Sequence, residues 1–135
     1  MRVVFDAGVV FSGAGWRGEA NLCLLAMARR RLIVYATDET LDELKELNER
    51  RGVRSRHSPA SILNWYYGAV RVVAPALLGK RRSPDAKDDP YLACALAAGA
   101  KIIVSRDEDL LVLKKPFGIE IITPRELLAR LVRSV

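Results

Sequence analysis

Five short runs of apolar, mostly β-branched residues punctuate the chain: Val3-Val4-Phe5, Leu32 to Tyr35, Arg71 to Ala74, Ile102 to Ser105 and Ile119 to Ile122. Between them lie longer stretches with apolar residues at helical spacing, such as Leu22, Leu25 and Ala26, or Leu41, Leu44 and Leu47. A strand without polar alternation has no face for water, so it belongs in a parallel sheet covered on both sides. Strands alternating with helices from end to end give the same answer. The expected fold is α/β, a mainly parallel five-stranded sheet flanked by helices.

The element ends can be read locally. Glu19 to Arg30 is a helix, and Thr37 or Asp38 caps the next, whose first turns carry Asp38, Glu39, Asp42 and Glu43 where the helix dipole favours acids. That helix should fade at Gly52. Ser58-Pro59 starts a helix bearing Trp65, Tyr66 and Tyr67, an aromatic run that suits a core or dimer face, or base stacking. Asp89 before Pro90 opens another, Asp107 a short turn, and Thr123-Pro124 a last helix. Residues 7–18, small and glycine-rich, are expected to be a loop with at most a helical turn around Val9 to Ser12. Residues 75–87 form a second loop, carrying Lys80-Arg81-Arg82.

With 135 residues, one domain covering 1–135 is expected, and half the residues being hydrophobic allows a proper core. No apolar run is long enough to span a membrane, and Arg2 is followed by only three apolar residues before Asp6, so a cytoplasmic protein is expected. Cys23 and Cys94 sit in apolar helical patterns as small buried hydrophobes, and a single histidine, His57, excludes the usual His/Cys zinc site. The net charge is +6, with basic clusters at Arg29 to Arg31, at Arg50, Arg51, Arg54 and Arg56, and at Lys80 to Arg82. Such clusters suit phosphate backbones.

Against this basic background the acids gather at element ends. Asp6 follows the first strand, Asp88 and Asp89 head the DPYLACALAAGA helix, and Asp107 and Asp109 follow the fourth strand. Taken singly, each has a structural explanation as a cap or strand end. Asp6 fits that explanation least, because it interrupts an apolar stretch. In open parallel sheets ligands bind outside the carboxyl ends of the strands. Carboxylates crowded there are tolerated mainly when a hard cation offsets their repulsion.

The motifs VVFDAG, LDEL at 41–44, DDPYLACALAAGA at 88–100, VSRDEDLL at 104–111 and the closing GIEIITPRELL resemble the PIN-domain family in order and spacing, over nearly the whole chain. The likeness is strongest to toxin components of toxin–antitoxin pairs of the VapBC kind. The resemblance implies a three-layer α/β/α sandwich and a metal-dependent ribonuclease that hydrolyses RNA phosphodiesters. It also implies an antitoxin partner and a homodimer. By position, the catalytic acids would be Asp6, Glu43, Asp89 and Asp107. The same four, with Asp109 and less readily Asp88, would hold Mg²⁺ or Mn²⁺.

One feature departs from the family pattern. Asp-Thr-Asn, or similar, usually follows the first strand, and here it is Asp6-Ala7-Gly8. The missing hydroxyl and amide would orient the acids, and Ser12 and Ser105 are the polar neighbours able to compensate. The departure supports an alternative reading, a catalytically weak or inactive PIN-like module that binds RNA or a partner protein. A third reading comes from Gly13 to Gly18, which matches GxGxxG literally. Trp16 and Arg17 are bulky for a pyrophosphate site, and a plain loop ranks above a dinucleotide site.

Overall fold

The computed structural model describes residues 1–51, 60–78 and 89–133. Five strands form one sheet: β1 (Arg2–Phe5), β2 (Ile33–Ala36), β3 (Arg71–Val72), β4 (Ile102–Val104) and β5 (Glu120–Ile122). Their order is β3-β2-β1-β4-β5 and every pairing is parallel. Helices flank the sheet: α1 (Ala7–Gly15), α2 (Glu19–Ala28), α3 (Asp38–Arg51), α4 (Ala60–Ala69), α5 (Asp89–Ala98), α6 (Glu108–Leu111) and α7 (Pro124–Arg133). The α/β expectation holds, and the sheet is wholly parallel.

β1 is central, and Val3 and Val4 are completely buried, as a strand covered on both faces requires. On one side of it the order runs to β2 and β3, on the other to β4 and β5. The connection therefore reverses direction between β1 and β4, which is the switch point at which open α/β sheets bind ligands.

Residues 7–15 form a helix and not the expected loop. Asp6 caps it: its side chain accepts from the Gly8 N–H at 3.1 Å and its carbonyl from the Val9 N–H at 3.0 Å. Val9, Val10, Phe11 and Ala14 are all buried, so tertiary burial outweighs the low helix propensity of the glycines. Gly13 is there for space. A β-carbon on it would lie 2.8 Å from the Ala20 carbonyl oxygen, so α1 and α2 can touch only through a glycine. The GxGxxG match thus dissolves into a helix end and a turn. Gly13 and Gly15 belong to α1, and Gly18 (φ 148°) supplies the turn before α2.

The other caps largely follow the sequence. Thr37 Oγ1 accepts from the Thr40 N–H, and Thr40 Oγ1 accepts from the Thr37 N–H, a reciprocal pair opening α3. Thr123 and Glu126 do the same for α7, as a capping box. β3 is shorter than the expected Arg71 to Ala74. It lies at the sheet edge, and beyond Val73, whose N–H still reaches the Ala36 carbonyl, the chain turns to pair Ala76 with Ala93. The expected end of α3 at Gly52, the Ser58-Pro59 start and residues 79–87 of the expected 75–87 loop, with its basic triplet, lie outside the described residues. Cys23 and Cys94 are buried free thiols, and burial pushes both up to about 12. Among the described residues no helix is long and apolar enough to cross a membrane.

Candidate active site

The site is built where β1 and β4 end side by side. The Asp6 N–H donates to the Val104 carbonyl at 3.0 Å, carrying the parallel pairing one residue past the strands. Asp6 therefore stands directly beside Ser105. The Ser105 hydroxyl, fully buried, donates to Asp6 Oδ2 at 2.6 Å and accepts from the Asp107 N–H at 2.9 Å. One hydroxyl thus fixes both the first acid and the backbone that presents the second. Ser12, the other proposed compensator, accepts from Arg106 at 3.4 Å.

Asp6 is only 9% exposed. Burial pushes its carboxyl above the usual range, the hydrogen bonds from Ser105 and Gly8 pull it back, and the nearby Asp107 carboxylate raises it further. The two acids therefore share a field. Asp107 also caps α6, its Oδ1 accepting from the Asp109 N–H at 3.0 Å. That bond brings Asp109 alongside, half-buried.

Glu43 arrives from α3 through a residue the sequence reading missed. Tyr91 donates its phenol hydrogen to Glu43 Oε2 at 2.7 Å, and its oxygen accepts from the Ala7 N–H at 3.1 Å. The ring is wholly buried. Desolvation, then the charges of Asp6 and Glu43, hold the phenol far above its ordinary titration range, so it stays a donor. A buried tyrosine needs a hydroxyl partner. The available signal was its place two residues after Asp89. Asp89 itself is the first residue of α5, half-buried, and its neighbour Pro90 lines a groove of about 350 Å³ with Glu39, Asp42, Glu43, Glu46 and Arg50. Asp88 lies outside the described residues.

The structure thus links Asp6 and Asp107 through the Ser105 hydroxyl, Asp109 by its backbone N–H, and Glu43 through Tyr91, around the start of α1. Among the described residues no three Asp, Glu, His or Cys side chains close into a finished metal cage. The donors are all hard oxygens, which suit Mg²⁺ or Mn²⁺ over softer metals. Asp6, desolvated and with the Asp107 carboxylate nearby, carries a charge that a cation would relieve, so this pair suits such an ion.

Gly8 leaves space beside this centre. A β-carbon there would sit 3.9 Å from Asp6 Oδ1, an ordinary contact. The Gly8 N–H already serves Asp6, so the backbone supplies part of what a side chain would. Arg106, half-exposed between Ser105 and Asp107, lies 4.0 Å from Glu19. The aromatic run divides: Tyr66 enters the core, Tyr67 lies under Lys45 (5.6 Å to the ring centre), and Trp65 is half-buried.

Comparison with known proteins agrees with this architecture. The profile of the PIN domain family matches residues 2–109. The crystal structure of PAE2754 from Pyrobaculum aerophilum superposes with a TM-score of 0.66 at 20% identity, covering 98% of this chain and 90% of that one. At that identity the likeness concerns the fold. No curated protein sequence matches significantly.

Proposed function

The chain belongs to the PIN-domain family, and from that premise we propose that it is a divalent-metal-dependent endoribonuclease. The observation that carries the proposal is the Asp6–Ser105–Asp107 arrangement at the switch point of the sheet. Its acids are held in fixed register by a buried hydroxyl, which simple capping does not require.

In this reading Asp6, Asp89 and Asp107 hold Mg²⁺ or Mn²⁺, with Glu43 and Asp109 completing or flanking the set. An ion held there would supply a water of lowered pKa and would offset charge on the phosphate oxygens. Ser105 favours the ionised form of Asp6 against the cost of burial and orients it. Tyr91 holds Glu43 toward the same point, where its carboxylate positions the attacking water. No protein nucleophile is used. Four acids and Arg50 line the groove beside Glu43 within a chain of net charge +6, so the overall charge attracts RNA while the groove's acids oppose its entry until a cation is present.

We further propose that the protein is a cytoplasmic toxin of an antitoxin pair and a homodimer. The support is the motif resemblance, together with apolar surface on α2 and α7, where Leu22, Leu25 and Val132 are exposed. Co-purification of a small partner that suppresses cleavage tests the first statement, and light scattering the second.

The Ala7-Gly8 sequence favours a second reading, RNA binding without cleavage. Incubation with mixed RNA and matched DNA, in EDTA, Mg²⁺ or Mn²⁺, beside Asp89→Asn, separates the two. Metal-dependent RNA cleavage lost in the folded variant supports the nuclease. Retention of intact RNA by folded wild-type protein supports the binding module.

A further inference from the structure

A second cavity lies at the opposite end of the sheet. β3 begins only at the level of Tyr35, so Ile33 and Val34 of β2 have no strand beside them on that edge. A cavity of about 690 Å³ fills the space, bounded by Ile33, Met27 at the end of α2, and Ala69 and Trp65 on α4. Arg30 and Arg71 line it as well, and both are exposed, so they stand at its mouth.

Three observations give this cavity a chemistry. First, no acid lines it, and neither arginine has a carboxylate partner among the described residues. Second, Trp65 is half-buried, offering an indole against an otherwise apolar wall of Met27 and Ile33. Third, Arg30 occupies the left-handed position that ends α2, with φ 60°, a place where glycine is usual. The Arg31 N–H reaches back to the Ala26 carbonyl to close that turn, so the turn would form equally well with glycine. An arginine there accepts backbone strain, and what it adds is a cation at the cavity mouth.

We propose that this cavity binds a nucleotide unit, the base against Trp65 and the phosphate between Arg30 and Arg71. The volume lies within the range of small-ligand pockets. Aromatic stacking with guanidinium contacts to phosphate is the usual physical basis for holding one nucleotide. The site is independent of the acids at the switch point, since it lies at the amino ends of the strands. The same chemistry serves a free nucleoside monophosphate or one unit of an RNA strand.

The test is calorimetric titration of the full chain with AMP in EDTA, which removes any metal-bridged binding at the acids. One site is expected. Arg30→Ala and Arg71→Ala should each weaken it about tenfold, and adenosine or inorganic phosphate alone should bind about tenfold more weakly than AMP. Asp6→Asn should leave it unchanged. Displacement of AMP by a short oligoribonucleotide, measured in Asp89→Asn, assigns the site to an RNA strand, and retention assigns it to a free nucleotide. Absence of AMP binding at millimolar concentration overturns the proposal. So does AMP binding that is indifferent to both arginine substitutions in folded protein.

Discussion

Ser105 and Asp6 are 99 residues apart in the chain and 2.6 Å apart in the fold, the serine hydroxyl donating to the carboxylate. The contact exists because β1 and β4 are neighbours whose pairing continues one residue beyond the strands. Ser105→Ala removes that bond and also leaves the Asp107 N–H without its hydroxyl acceptor. Activity should fall roughly 10- to 100-fold, as when a residue supporting a metal ligand is lost. Stability should fall by about 1–3 kcal/mol, because two buried polar groups lose a partner. Cleavage kinetics and urea unfolding on one preparation check both.

Asp6→Asn should abolish activity and stabilise the fold at neutral pH. Burial raises the Asp6 carboxyl above its ordinary value of 3.8, so its ionised form is a cost to the native state. The sign follows from proton uptake. Below 3.8 both folded and unfolded chains are protonated and the cost is absent. It grows as pH rises through the raised folded value and is complete above it. The variant, which still caps α1, should gain stability over wild type at pH 7, with the gain fading toward pH 3. Chemical denaturation across that pH range reads it. Added Mn²⁺ should reverse the order, stabilising wild type by about 2.7 kcal/mol at a hundred times its dissociation constant and leaving Asp6→Asn unmoved.

Tyr91→Phe separates positioning from binding. The ring still fills its pocket, but Glu43 loses a donor and the Ala7 N–H an acceptor. A stability loss of about 1–2 kcal/mol is expected. Turnover should fall about tenfold with KM for RNA little changed, the pattern of a lost transition-state interaction. A rise in KM alone would place Tyr91 in substrate binding.

Much of this site was legible in the sequence and some was not, for identifiable reasons. Asp6 and Asp107 could be found because a strand end is a local signal and the parallel sheet brings strand ends together. Tyr91 could not, because its partners are 48 and 84 residues away and only the packing of α5 selects them. Residues 7–15 read as a loop in the sequence because glycine argues against a helix when propensity alone is weighed. The space demanded by Ala20 against Gly13 is visible only in the fold. β3 ran short for a similar reason: its apolar residues suit a strand, but at the sheet edge the chain leaves after Val73.

Gly8→Asn tests whether the altered turn limits the enzyme. The position is helical, solvent-exposed and roomy, so the variant should fold with a gain of a few tenths of a kcal/mol from helix propensity. The amide beside Asp6 should tighten Mn²⁺ binding and raise cleavage severalfold, within the range seen for residues supporting metal ligands. Unchanged metal affinity would show that the Gly8 N–H and Ser105 already orient Asp6 fully.

The most direct measurement is cleavage of one labelled single-stranded RNA by wild type and Asp6→Asn, in EDTA, Mg²⁺ and Mn²⁺, with the fold of each checked by circular dichroism. Cleavage by wild type is expected with either metal, none in EDTA, and none by a variant that is folded and at least as stable. Cleavage that persists in EDTA, or in Asp6→Asn at the wild-type rate, would rule out metal-dependent hydrolysis at Asp6.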